Sequence, residues 1–150
     1  MIIEVQSAEA MQKLGAQIGT HVAGGETIML IGDIGAGKTT FTKGLALAMG
    51  ITEDIPSPTF TISRVYPASN NRTLAHYDFY RLSDPGIMRA ELHEAAHDDH
   101  TVTVIEWGDI VADSISPHVL TVHITSNSET ARTVTLEGRG GATHIIEELR

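Results

Sequence analysis

Apolar positions in this sequence recur with two different periods, and the switches between them mark out the elements. Residues 2–5 (IIEV) form a short apolar run of strand length. Ser7 can then cap a helix, with Glu9 in its first turn, where the helix dipole favours an anion. Met11, Leu14, Ile18 and Val22 follow at helical spacing on one face, and Gly24-Gly25 ends the run. Residues 27–31 (TIMLI) are continuously apolar, as a parallel strand buried on both faces should be. A glycine-rich stretch over 32–37 breaks that strand. Phe41, Leu45, Leu47 and Ala48 predict a helix over about 37–49, stopped at Gly50.

The pattern then changes. Pro56-Ser57-Pro58 forces extended backbone, because a residue before proline avoids the α region. Residues 60–66 and 73–78 read as strands, and the polar turn between them (PASNNR, 67–72) makes the pair a hairpin. A helix is predicted near 85–96, with Pro85 in its first turn behind Ser83 or Asp84 as cap. Residues 101–105 (TVTVI) give another strand, ending at Glu106-Trp107. Two late strands, 119–124 and 133–137, suit antiparallel pairing, and Ala142, Ile145, Ile146 and Leu149 predict a short closing helix. With no repeat or linker, the chain reads as one α/β domain over 1–150 with a mixed sheet.

Charge and composition narrow the function. Ten Lys and Arg stand against 19 Asp and Glu, a net charge of −9, so the surface repels a nucleic-acid backbone on average. If the protein serves a nucleic-acid pathway, a partner is expected to hold the nucleic acid. There is no cysteine, which rules out disulfides and thiolate metal sites and suits a reducing cytoplasm. The first residues lack a basic segment followed by a long apolar run, and no stretch approaches membrane-span length, so neither a signal peptide nor a membrane association is expected.

The chemistry lies in the break after the second strand. Gly32-Asp33-Ile34-Gly35-Ala36-Gly37-Lys38-Thr39 matches G-x-x-x-x-G-K-[ST] at every fixed position, between a predicted strand and a predicted helix. Glycines let the backbone curl so that successive N–H groups face inward as an anion nest, and the helix start adds its dipole. Asp33, Ile34, Gly35, Ala36, Gly37, Lys38, Thr39 and Thr40 are therefore the expected ligand-binding residues. Lys38 should reach the β- and γ-phosphates of a nucleoside triphosphate, and the Thr39 hydroxyl a Mg²⁺ ion. Mg²⁺ also wants carboxylate oxygen, which such proteins place at the end of a neighbouring apolar strand. Glu106, after TVTVI, and Asp78, after LAHY, are the two candidates.

Four segments now stand in order: GDIGAGKTTFTKG (32–44), SPTFT (57–61), HYDFYRL (76–82) and IEWGD (105–109). Together they resemble the bacterial TsaE family, also called YjeE, over nearly the whole chain. The resemblance implies a P-loop NTPase-like three-layer fold with a mixed, largely parallel central sheet. It implies a cytoplasmic ATPase that acts with the proteins TsaD and TsaB. That complex forms threonylcarbamoyladenosine at position 37 of tRNAs reading codons that start with A, so tRNA is met only through the complex. By position, Lys38 and Thr39 fall in the family's phosphate and metal site, Glu106 on its metal-associated acid, Trp107 on the adjacent tryptophan, and Asp78 on the acid of the H-x-D segment. Thr59 and Thr61 lie in a segment similar to a switch near the γ-phosphate. Pro56, just before it, departs from many relatives and would stiffen the entry to that segment.

Phosphoryl transfer to water is mostly positioning and charge stabilisation. Lys38 would hold β/γ oxygens, Thr39 and Glu106 would hold Mg²⁺, and Asp78 or Glu106 would orient the attacking water. His76 can orient Asp78 or simply pack in its strand. Arg64 and Arg81 are the candidate guanidinium groups for a phosphate, and the lack of one in the P-loop fits slow hydrolysis raised by a partner. Trp107 suits core packing, stacking near a nucleotide or a partner contact. His97-Asp98-Asp99-His100 reads as a solvated loop rather than a metal site. The rival functions are a small-molecule kinase, a GTPase, unsupported because no Asn-Lys-x-Asp segment is present, and a nucleotide-binding interaction module.

Overall fold

The computed structural model describes residues 1–33, 35–53, 55, 63–79, 86, 88–107 and 115–150. Strand β1 (Ile2–Val5) leads into helix α1 (Ala8–His21), where the Ser7 side chain accepts from the Ala10 amide as N-cap. Strand β2 (Thr27–Ile31) and helix α2 (Lys38–Ala48) follow. Next come the hairpin β3 (Ser63–Ala68) and β4 (Arg72–Asp78), helix α3 (Met88–Ala96) and strand β5 (Thr101–Glu106). Strands β6 (Val119–Ser126) and β7 (Arg132–Arg139), a 3₁₀ turn (Gly140–Ala142) and helix α4 (Thr143–Leu149) close the chain.

The strands form one sheet in the order β1-β7-β6-β2-β5-β4-β3. The central run β6-β2-β5-β4 is parallel, and the outer pairings β1/β7, β7/β6 and β4/β3 are antiparallel. This is the expected mixed sheet with a parallel core, and the two late strands do pair antiparallel. Helices α1, α2 and α4 cover one face through Met11, Leu14, Ile18, Phe41, Leu45 and Ile145. Helix α3 covers part of the other through Leu92, against Met29, Tyr77, Phe79 and Ile105. That makes three layers. No helix among the described residues is long and apolar enough to cross a membrane.

Two boundaries differ from the sequence reading. The hairpin turn is not 67–72 but only Ser69, Asn70 and Asn71, closed by the Arg72 amide on the Ser69 carbonyl at 3.3 Å. Asn70 and Asn71 both take left-handed φ near +60°, the paired conformation a tight hairpin needs and asparagine tolerates. Pro67 stays inside β3 because β3 is an edge strand, where a missing N–H leaves no ladder bond broken on the open side. Strands β6 and β7 also run further than 119–124 and 133–137, out to Ser126 and back from Arg132, because the ladder continues through polar residues. The predicted start of α3 at Ser83, Asp84 and Pro85 lies outside the described residues.

Candidate active site

A side-chain period of two decides what gathers at the sheet's edge. On β5, Val102 and Val104 point into the core under α2, so Glu106 faces the same way. On β4, Leu74 does the same, which carries His76 and Asp78 to that face. In the parallel register His76 lies opposite Val104 and Asp78 opposite Glu106. β2 ends between β5 and β6, and Gly32 follows it. The site thus stands beyond the carboxyl ends of parallel strands, the place where such sheets bind ligands.

The turn after β2 is shaped by glycine. Gly35 and Gly37 have φ of 82° and 113°, a region that L side chains rarely occupy. A Cβ on Gly35 would meet nothing within 4 Å, so the left-handed backbone, not crowding, demands glycine there. The Ala36 amide donates to the Asp33 carbonyl at 3.0 Å and tightens the turn. Gly37 then caps α2 with no side-chain hydrogen bond, leaving main-chain donors at the helix start.

Lys38, the first residue of α2, is buried. Its Nζ donates to the Gly32 carbonyl at 2.8 Å, stands 3.9 Å from Glu106 Oε1 and lies 4.2 Å from the centre of the Trp107 ring. Burial lowers the pKa of this ammonium, and the carboxylates of Glu106, Asp78 and Asp33 oppose that shift without cancelling it. Glu106 is buried too, and its Oε2 accepts from His76 Nε2 at 2.8 Å. An ionised carboxylate only accepts, which would put the ring proton on Nε2, and among the described residues the buried Nδ1 has no hydrogen-bond partner. The hydrogen bond of His76 therefore runs to Glu106, whereas the sequence reading offered either a bond to Asp78 or plain packing in the strand. Asp78 itself is buried at the end of β4.

Trp107 is partly buried, packs against the second core and supplies the ring beneath Lys38. Its φ of 57° turns the chain sharply after β5. Arg64 is exposed on edge strand β3, opposite His76. Residues 97–100 build the turn into β5: Asp98 accepts from the His100 amide and the Thr101 hydroxyl, both at 3.0 Å. Ile34, Pro56, Thr59, Thr61 and Arg81 lie outside the described residues. The structure brings together Asp33, Gly35, Ala36, Gly37, Lys38, Thr39 and Thr40 at the turn and the helix start, with Asp78, Glu106, His76 and Trp107 at adjoining strand ends.

One contributor escaped the sequence reading. Arg132, at the start of β7, reaches across to the turn and donates from Nε to the Ala36 carbonyl at 3.0 Å. Beside it a cleft of ≈ 280 Å³ runs between Gly35, Gly37 and Thr40, the start of α1 and Glu129–Thr130. No sequence pattern announced Arg132, because its partners are main-chain atoms.

A strand, a glycine turn and a helix beginning Lys-Thr, set at the ends of a parallel core, give a three-layer α/β fold of the P-loop NTPase-like type. The family model for threonylcarbamoyl adenosine biosynthesis protein TsaE matches residues 5–134. The chain belongs to the TsaE family. It is 36% identical to a tRNA threonylcarbamoyladenosine biosynthesis protein TsaE of Treponema pallidum over 132 residues, 87% of this chain and 96% of that protein. The Bacillus subtilis protein of the same name is 33% identical over 148 residues, 98% of this chain and 90% of the relative. The crystal structure of Bacillus subtilis YdiB superposes with a TM-score of 0.81 at 28% identity, covering 99% of this chain and 93% of that one.

Proposed function

We propose that this protein binds Mg·ATP in the turn over residues 32–39 and hydrolyses it in support of tRNA threonylcarbamoyladenosine synthesis, acting with TsaD and TsaB. The observation that carries the reading is the convergence of one desolvated ammonium and two buried carboxylates on the mouth of a glycine turn. The fit is chemical. The open space at Gly35 and the uncapped start of α2 suit a phosphate, and the paired strand-end acids with Thr39 suit a hard divalent cation.

In this reading Lys38 Nζ holds β/γ oxygens, and the main-chain amides at the start of α2 hold the phosphates from below. Thr39 and Glu106 hold the metal ion, which supplies charge neutralisation when bound. His76 keeps Glu106 oriented through its Nε2–H. Asp78, in register with Glu106, accepts a hydrogen bond from the attacking water and keeps it in line. The cleft beside Thr40 leaves room for the nucleoside. All five N–H groups of Arg132 are held by main-chain carbonyls, and Arg64 is exposed on the edge strand. Neither guanidinium is thus free and placed for transition-state charge, and in this reading a partner supplies it, so the isolated chain turns over slowly.

Reconstitution tests the whole. The chain is mixed with TsaB, TsaD, threonylcarbamoyl-AMP and tRNA, and repeated turnover is followed for the wild type and Lys38→Ala. Wild type should sustain many rounds and Lys38→Ala should not. Equal multi-turnover modification by both would defeat the proposal, as would calorimetry that detects no Mg·ATP uptake by the wild type.

A further inference from the structure

We propose that Arg132 is a positioning residue for the phosphate turn, fastening it from behind to the tip of the β6–β7 hairpin; this rests on the nucleotide-binding reading above. A guanidinium has five N–H groups in a rigid plane. Here each finds a main-chain carbonyl. Nε donates to Ala36 at 3.0 Å and Nη2 to Gly35 at 3.4 Å, both in the turn. Nη1 donates to Ser128 at 2.7 Å and Ala131 at 2.9 Å, and Nη2 to Glu129 at 3.3 Å, all in the hairpin tip. No N–H is left for a ligand, so this arginine acts through the turn and not on a phosphate.

Trans peptide geometry gives the hold its meaning. In a trans unit the C=O and the following N–H point in opposite directions. Holding the Ala36 carbonyl toward Arg132 turns the Gly37 amide the other way, toward the inside of the turn. Holding the Gly35 carbonyl does the same for the Ala36 amide, which closes the turn on Asp33. Gly35 and Gly37, both at positive φ, are the residues freest to flip these peptides when nothing restrains them. The strand that carries Arg132 is itself fixed on both sides, paired with Val5 of β1 and Ser126 of β6.

Arg132→Lys and Arg132→Gln separate this role from its alternatives. Lysine keeps the charge but cannot span five carbonyls. Amide hydrogen exchange, read residue by residue in the ligand-free protein, should show the Ala36 amide losing protection in both variants while the amides of α1 keep theirs. Calorimetry should show Mg·ATP and inorganic tripolyphosphate both bound about tenfold more weakly or worse, with lysine no better than glutamine and the loss unchanged by added salt. Affinity restored by lysine, or a loss that vanishes in high salt, would make Arg132 a mere positive charge and overturn the proposal. So would Ala36 exchange unaltered in both variants. If the wild type bound neither ligand, the nucleotide reading would fall, and the exchange result alone would decide whether Arg132 holds the turn.

Discussion

Replacing Gly44 by alanine should destabilise the protein, although alanine is the better helix former by about 1 kcal/mol. Gly44 sits in the middle of α2 against α1. A Cβ there would stand 1.9 Å from the Gln12 carbonyl oxygen, 2.8 Å from its carbon and 3.1 Å from the Ala16 nitrogen. Real Cβ contacts do not fall below 3.0 Å, so the helices must part by at least 3.0 − 1.9 = 1.1 Å. The obstacle is helix backbone, which no rotamer change can move. From the other side, Cβ atoms on Gly15 and Gly19 would meet the Phe41 and Leu45 carbonyls at 2.1 and 2.6 Å, so the seam is tight along its length. A gap of 0.5–1 Å forfeits roughly a quarter to a half of each contact's attraction. Overpacking costs about 1–3 kcal/mol, and this case belongs at the top of that range. Subtracting the propensity gain leaves a loss of about 2 kcal/mol. That corresponds to a drop in Tm of about 4–8 °C for a chain of this size. In urea, with a slope of about 2 kcal/mol/M, the midpoint should fall by about 1 M. Far-UV circular dichroism follows both. A midpoint equal to or above that of the wild type would show that α1 and α2 are not seated backbone against backbone, and the packing account would fail. Gly15→Ala should act in the same direction, and the double variant should lose less than the sum, since one separation relieves both clashes.

His76→Phe leaves one oxygen of a buried carboxylate without its donor, and should cost about 2–3 kcal/mol; a denaturation cycle with Glu106→Gln should show strong coupling, and additive losses would refute the contact. His144 meets the Gly141 carbonyl through Nδ1 and the His21 carbonyl through Nε2, and only the doubly protonated ring donates both bonds. These two bonds, aided by Glu26 and Glu148, raise its pKa above 6.5 against a small desolvation. A raised folded-state pKa means stability present in full below the unfolded value of 6.5 and lost as pH climbs through the folded value. His144→Ala should therefore lower the urea midpoint at pH 5.5 by the equivalent of about 1 kcal/mol, after discounting for its exposure, and hardly at all at pH 9. A variant deficit that is the same at both pH values would contradict the assignment.

What could be read in the sequence was what is local or repeats with a fixed period. The strand over Thr27–Ile31 and the strand ending at Glu106 were legible because both faces of each are buried, which leaves an unbroken apolar run. Helix α1 was legible because its cap and its stripe are both written in side chains. The turn from β2 into α2 was legible because its glycines and the helix start are contiguous in sequence. The hairpin turn was over-read because Pro67 and Arg72 look like turn residues, while an edge strand can hold both. The partner of His76 was out of reach because it depends on which strand lies beside β4, a fact of topology. Arg132 was out of reach for a deeper reason. Its acceptors are carbonyls, identical at every position, so no residue type marks them.

The electrostatics of Lys38 tie the fold to the chemistry. An ammonium has three N–H groups and prefers water around all of them. Here one meets the Gly32 carbonyl, Glu106 is too distant at 3.9 Å for a hydrogen bond, and the face of an indole lies 4.2 Å away. Burial therefore wins over the carboxylates of Glu106, Asp78 and Asp33, and the charged form is disfavoured relative to water. An anion arriving at the turn would return what burial removed, so the lysine is poised to gain more from a phosphate than a solvated one would. The acids offset only part of that cost: Glu106 stands 3.9 Å away, and the hydrogen bond from His76 holds its other oxygen. The same buried sheet that stabilises the domain thus holds an ammonium whose charge burial disfavours, and under the nucleotide-binding proposal an anion at the mouth of the turn would offset that cost.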